Sequence, residues 1–398
     1  MNLSFYLTKK QFKSGNQTGF FKTASILSIA GLAIGVSALL ITLFILNGFE
    51  RVISEKITSL DGHIRIKHFL NDPIAPKDYE LEEEFLESNK LFSFQAFIQK
   101  PALIRRKGLA KGVIAEGISD GDYSFFNEML IEGSKNISEN GVIIGERMAK
   151  ENNLMISDKI TLFDLATFHE QNKRFKQLEI EGIFHSGMVE YDKTSIFLNL
   201  KTSQSVFGMN ENISGYVLRL KSLKNKFEAN QKIQEHISYP LMSIDWKEKN
   251  KALYKWLKVQ RWPIIFIFGL ISIVALVNII SAISMIVIDK TKQIGLMSAL
   301  GISKNIIRQI FLIQGLIIGF FGTLFGIITA LLLSTIQNRF KIIKVPEDVY
   351  FMDFVPVDIK LSQILLIFFI VIFTSALVSV WPSQRSTKIS PSNALKYE

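Results

Sequence analysis

Residues 23–49 read TASILSIAGLAIGVSALLITLFILNGF, 27 residues without Lys, Arg, Asp or Glu between Lys22 and Glu50. Three more uncharged stretches follow, of 27 residues at 262–288, 30 at 309–338 and 24 at 361–384. A helix crosses the hydrocarbon core of a bilayer with about 20 apolar residues, so each stretch is long enough. Residues 50–258, between the first and second, have ordinary globular composition. The pattern predicts a polytopic membrane protein. Four transmembrane α-helices, at 23–49, 262–288, 309–338 and 361–382, take a 1+3 layout, with a large α/β extracytoplasmic domain at 50–258.

Charge supports this division. Hydrophobic residues make up 48% and charged residues 21% of the chain, too many charges for one wholly inside lipid. The net charge of +10 suggests nucleic acid until it is mapped. Residues 50–258 carry 30 Lys/Arg and 30 Asp/Glu, so the excess sits beside the apolar stretches, where it marks the cytoplasmic side and its anionic lipids. Nucleic acid is excluded as a partner on that ground. The segments 1–22, 289–308 and 383–398 hold 4, 4 and 3 basic residues. The loop 339–360 also holds 4, balanced by Glu347, Asp348, Asp353 and Asp358. Four crossings put both termini on one side, which the charges predict to be the cytoplasm. Residues 23–49 run too long for a signal peptide's apolar region and predict a permanent anchor. Segment 1–22, with Leu3, Tyr6 and Leu7 ahead of Lys9, Lys10 and Lys13, reads as an amphipathic interfacial helix or a frayed tail.

Within 50–258, alternating or β-rich runs predict strands at 63–69, 92–99, 112–117, 159–163, 175–184, 195–198 and 216–220. Helical spacing fits 79–88, 145–152, 223–236 and 246–262. The last runs unbroken towards the second crossing, so the domain is expected to stand on helices that prolong the crossings.

No catalytic constellation emerges. His63, His68, His169, His185 and His236 make no metal-ligand spacing, and the absence of Cys removes thiol chemistry. No GxSxG elbow and no GxxxxGK[ST] phosphate loop occur, so catalytic and metal residues are none and ATP-driven work needs a separate chain. Small residues do form stripes: Gly315, Gly319, Gly322 and Gly326 in the third crossing, and Ser28, Gly31, Gly35 and Ala38 in the first. They allow close helix packing, either within one protomer or at a dimer seam. Asn278 and Gln314 lie inside apolar stretches and face other helices, as structural hydrogen-bond partners or substrate contacts. In 289–308, Ile294, Met297 and Leu300/Gly301 fall at helical spacing, flanked by Lys290, Lys292 and Lys304. That ridge either rests on headgroups or docks in a groove on a soluble partner.

Several runs together resemble the transmembrane subunits of lipoprotein-releasing ABC transporters, the LolC/LolE family, within the broader FtsX/MacB-like permease superfamily. They are IGVSALL at 34–40 leading to LNGFE at 46–50, IFHSGMVEYD at 183–192, IVALVNII at 273–280, QIGLMSALGIS at 293–303, FLIQG at 311–315, WPSQR at 381–385 and NALKYE at 393–398. The resemblance implies a MacB-like periplasmic domain and a multi-pass protein of the bacterial inner membrane. It implies a second permease subunit, as homodimer or heterodimer, and two copies of a cytoplasmic ABC ATPase that bind ATP and Mg, with no cofactor on this chain. Residues 290–304 would be the coupling helix that enters the ATPase. The crossings would transmit motion rather than form a channel, and lipoprotein acyl chains would enter laterally. Phe44, Asn47, Phe49, Phe266 and Phe268 are the candidate cavity-lining residues. A periplasmic carrier would receive the lipoprotein. The connection 164–173, DLATFHEQNK, is short where the carrier-recruiting family member has a long hairpin, leaving Phe168 as either an apolar contact tip or part of an ordinary turn. Export of a hydrophobic small molecule or peptide, or control of a cell-wall hydrolase, stands as the alternative within the superfamily.

Overall fold

The computed structural model describes residues 19–76, 91–106, 108–119, 129–168, 170–220, 226–346 and 352–387. The helix expected at 79–88, all but the last residues of segment 1–22, and residues 388–398 of the tail lie outside them. The chain runs α1 (Gly19–Asp61), β1 (Ile64–His68), β2 (Leu91–Arg106), β3 (Leu109–Ile118), β4 (Leu130–Gly133), β5 (Gly141–Gly145), α2 (Glu146–Glu151) and β6 (Lys159–Asp164). It continues through β7 (Phe175–Phe184), α3 (Val189–Thr194), β8 (Ser195–Asn199), α4 (Leu200–Phe207), β9 (Gly215–Leu220), α5 (Lys226–His236), β10 (Leu241–Asp245) and α6 (Trp246–Lys249). The last elements are α7 (Lys251–Asp289), α8 (Thr291–Ala299), α9 (Lys304–Phe340) and α10 (Leu361–Ser386).

Two units divide these elements. One comprises residues 1–50, 256–344 and 354–398, and the other 51–255 with 345–353. The first is helical, and α1, α7, α9 and α10 are each long and apolar enough to cross a membrane. Their shared core is built from Leu32, Val36, Leu40 and Phe44 of α1, Ile279 and Ile283 of α7, Ile307, Phe311 and Ile318 of α9, and Ile364 and Ile367 of α10. Leu361 and Phe369 of α10 and Phe266 and Val274 of α7 point outward. Apolar residues on every side of a helix mean that something other than water surrounds it.

The second unit is a ten-stranded sheet in the order β10-β1-β9-β2-β3-β8-β5-β7-β4, with β6 pairing to β2 and β7. Ile66, Ile98, Ala115, Val142, Ile144, Leu162, Ile180 and Leu198 form its buried face with no exposed area. β3–β8 and β5–β7 pair in parallel, and the other pairings are antiparallel. β2 runs past Pro101, well beyond the expected 92–99. Proline cannot donate to a ladder, but on that edge β2 pairs with β9 only as far as Phe97 and with β6 only from Ala102. Pro101 falls in the gap, where no bond is lost.

The expected continuous helix 246–262 is interrupted at Asn250. Its amide Nδ2 donates to the Trp246 carbonyl at 2.9 Å, and its backbone φ of −103° and ψ of 34° break the helix between α6 and α7. α1, by contrast, ends sharply. Gly62 takes φ +73°, its N–H donates to the Thr58 carbonyl at 3.0 Å, and a Cβ there would run into Val217. Only Gly accepts this turn without strain, and β1 begins two residues later.

Candidate functional site

α8 joins α7 and α9 through very short connections, with Gly301 at φ +82° turning the chain and Ser303 at the N-cap of α9. The ridge expected from Ile294, Met297 and Leu300 is divided by the fold. Ile294 is fully buried among Ile286, Val287 and Ile307, and Met297 packs partly against the same cluster. Leu296 and Leu300, four residues apart, are 55% and 75% exposed, and Lys292 and Lys304 are exposed beside them. The Lys290 ammonium lies 3.7 Å from the Asp289 carboxylate. Helical spacing marks apolar positions but not which way they turn: α7 and α9 close over one side and leave the Leu296–Leu300 side open.

The LNGFE run holds several elements together. Asn47 Nδ2 donates to Gln363 Oε1 at 2.7 Å, and Gln363 Nε2 returns a bond to Asn47 Oδ1 at 3.3 Å. Gly48 admits the passing chain, because a Cβ there would sit 2.9 Å from the Val357 nitrogen. Glu50 pairs with Arg261 of α7 at 2.5 Å. Phe44 is fully buried, and its carbonyl accepts from the Asp358 N–H at 2.9 Å. Phe44 and Asn47 are therefore packed within the helix core of the chain. Phe49 and Phe268 are half-buried, and Phe266 is 69% exposed.

The small-residue stripes pack inside the chain. A Cβ on Gly315 would strike Ser379, and one on Gly319 would lie 2.6 Å from Ser375 Oγ, both on α10. Gly322 and Gly326 face Leu32 and Val36 of α1 at 2.7 and 2.8 Å. Gly31 and Gly35 approach Asn278 and Ile271 of α7, each at 3.5 Å. Ser28 Oγ donates to the Asn278 carbonyl at 3.3 Å, and Gln314 is buried.

In the sheet unit Phe168 is half-buried, set edge-on to Phe163 at 6.1 Å between ring centres and 5.2 Å from the Lys173 ammonium. Its ring packs against Phe163 of β6. Leu165 in that connection and Phe175 at the start of β7 are exposed. The SGMVEYD run closes on itself. Asp192, buried, accepts from the Ser186 N–H at 2.9 Å and from Ser186 Oγ at 2.5 Å, while His185 Nδ1 lies 3.2 Å from its other oxygen and 3.0 Å from Glu146. Burial pushes the Asp192 carboxyl above its ordinary range, against the pull of Ser186 and His185.

A charged node that sequence reading missed lies at the end of α1. Arg65 Nη2 lies 2.8 Å from Asp61 Oδ1 and 2.7 Å from Glu116 Oε1, and its Nε donates to the Asp61 carbonyl at 2.9 Å. Lys249 Nζ reaches Asp61 Oδ1 at 2.6 Å. Burial, then Arg65, lowers the Lys249 ammonium. Burial, with Arg65 and Lys249 adding repulsion, pushes Lys67 down to about 8. Beside the node is a cavity of about 390 Å³, bordered by Lys100, Ile114, Tyr191 and Phe197. The sequence offered one hint, an Asp-Gly helix stop with Arg four residues after the Asp. Glu116 and Lys249 join only through the sheet.

Comparison with known proteins places this geometry. Residues 25–236 match the MacB-like periplasmic core domain, and residues 265–391 match the FtsX-like permease C-terminal. The chain is 24% identical over 416 residues, all of both chains, to the lipoprotein-releasing system transmembrane protein LolC of Neisseria meningitidis serogroup B. It is 30% identical to the LolC of Buchnera aphidicola subsp. Schizaphis graminum over 95% of each chain. It is also 26% identical to the LolE of Haemophilus influenzae over 99% of each.

Proposed function

Because the chain belongs to the LolC/LolE family of lipoprotein-releasing transmembrane subunits, within the FtsX/MacB-like permeases, we propose that it is the permease of an ATP-driven extractor of membrane lipoproteins. In this reading α1, α7, α9 and α10 cross the bacterial inner membrane in a 1+3 layout, with both termini cytoplasmic and the sheet unit periplasmic. It pairs with a second permease subunit, and α8 of each seats on one of two cytoplasmic ATPase copies, where ATP and Mg²⁺ are bound. Motion of the helices then moves the sheet unit, and the lipoprotein passes to a periplasmic carrier without a channel through the chain.

The observation that carries this reading is the end-to-end extent of the similarity, which covers the sheet unit and the α8 segment together. Energetics make such a machine necessary. At about 0.8 kcal/mol per buried CH₂, two or three acyl chains hold a lipoprotein by roughly tens of kcal/mol, so spontaneous release is negligible. An ATPase supplies the drive and the carrier supplies an apolar acceptor.

The test is reconstitution of the permease and its ATPase in liposomes with a triacylated lipoprotein and a soluble carrier. ATP-dependent transfer to the carrier is expected. Hydrolysis without transfer of any triacylated cargo would overturn the reading and favour export of another hydrophobic substrate. Docking is tested separately by Leu296→Asp with Leu300→Asp. Seating an exposed Leu is worth about 1.5–3 kcal/mol, so the pair should weaken ATPase co-purification roughly 100-fold, and unchanged co-purification would remove α8 as the dock.

A further inference from the structure

We propose that the node of Asp61, Arg65, Glu116 and Lys249 is the joint through which movement of α1 and α7 enters the sheet, with Lys249 as its positioning residue. The inference rests on the mechanical reading above.

An acidic residue at a helix C-terminus is electrostatically unfavourable, because the last carbonyls already carry partial negative charge. Asp61 is nevertheless the final residue of α1 and is buried. Three cations offset it. Arg65 caps the Asp61 carbonyl, Arg219 Nη2 donates to the Leu60 carbonyl at 3.4 Å, and Lys249 binds the Asp61 carboxylate.

The node also ties distant strands. Arg65 is on β1 and Glu116 on β3, and β9 and β2 lie between them in the sheet. The guanidinium crosses 4.3 Å above the Phe97 ring of β2 to reach Glu116, whose second oxygen accepts from Gln99 Nε2 at 2.9 Å. A tug on the end of α1 is thus delivered to four strands.

Lys249 supplies the second arm. It is the last residue of α6, with only Asn250 between it and the start of α7. One turn further, Tyr254 of α7 meets Ser54 of α1, their hydroxyls 3.0 Å apart, and its ring packs edge-on to Trp246 at 4.9 Å. The carboxylate of Asp61 therefore holds the end of one long helix and the approach to the other against the same sheet.

Stability does not explain such a cluster. Buried ion pairs can often be replaced by well-packed apolar residues at no loss, whereas their directional bonds fix geometry. An apolar contact between sliding helices slips; a charged, bidentate one keeps its register. Holding register under load is what a joint requires.

The experiment uses the reconstituted permease–ATPase complex and two variants. Lys249→Met keeps the apolar stem and leaves Asp61 paired with Arg65; Lys249→Arg restores the charge, with the adjoining cavity as room. Spin labels at Ile131→Cys and Ile342→Cys, in a chain without native Cys, report ATP-driven changes in the distance from sheet to helices. With Lys249→Met, ATPase co-purification and basal hydrolysis are expected at wild-type level. The distance change should be lost, lipoprotein released per ATP should fall at least tenfold, and Lys249→Arg should recover both. Wild-type movement and release in Lys249→Met would overturn the joint. So would hydrolysis falling in step with release, which signals misassembly, or a wild-type complex whose labels never move. If the wild type moves but frees no lipoprotein, the cargo reading fails while the labels still judge the joint.

Discussion

Gly319→Ala tests whether the glycine stripe of α9 is a seam closed within one chain. An added Cβ would stand 2.6 Å from Ser375 Oγ and 2.7 Å from Ser375 Cβ. Ordinary carbon contacts lie near 3.5–4.0 Å, so α9 and α10 must separate by about 1 Å or bend. Rotating Ser375 relieves only the hydroxyl, because its Cβ is fixed by the helix, and the residue is fully buried. Overpacking of this kind costs about 1–3 kcal/mol. Alanine's better helix propensity returns at most about 1 kcal/mol, leaving a net loss of roughly 1–2 kcal/mol. Ser375→Gly removes both clashing atoms, so the double variant should recover most of the loss even though each single change is unfavourable. Thermal unfolding of the detergent-solubilised protein, read by size-exclusion chromatography of the heated samples, measures all four members of the cycle. Wild-type stability in Gly319→Ala, or strictly additive losses in the double variant, would refute the seam.

Two further outcomes follow from the sheet unit. Asp192→Ala leaves the Ser186 N–H and hydroxyl buried without their acceptor and should cost about 1–3 kcal/mol; Asp192→Asn keeps an oxygen for them and should cost much less, as compared by denaturant midpoint. Lys67, down to about 8 from 10.5, is charged in both folded and unfolded chains below pH 8, so the penalty for burying that charge is fully present at pH 7. Between those values the unfolded chain binds the extra proton, so stability rises with pH. Lys67→Met should raise stability at pH 7 by about 1 kcal/mol, discounted for partial exposure, and flatten the rise between pH 8 and 10.5 in melts across that range.

The long helices were legible because hydropathy over more than twenty residues has few competing explanations. The ten-residue strand β7, with its largely alternating pattern, was legible for the same kind of reason. The strands β5 and β10 were not, since GVIIG and LMSID are short runs whose partners come from elsewhere in the chain. Periodicity identified α8 as amphipathic but could not tell that Ile294 faces α7 and α9 while Leu296 faces out, since that depends on how its neighbours pack. Phe44 and Asn47 stood out as an aromatic and a polar residue near a helix end, a description that fits a lining residue and a core residue equally. The contacts with Gln363 and residues 356–358 that pack both into the chain come from more than 300 residues away. The charged node was hidden for a similar reason: its four members span residues 61 to 249, and only the strand order brings them together.

The way α1 runs into β1 governs where the protein can be cut. A soluble fragment started at Gly62 would look natural, since the sheet begins two residues later. It would, however, leave the buried Arg65 and the partly exposed Lys249 without Asp61, two cations sharing one remaining carboxylate. A fragment started at Arg51 keeps the last turns of α1, and with them the counter-charge that lets the sheet close at that edge.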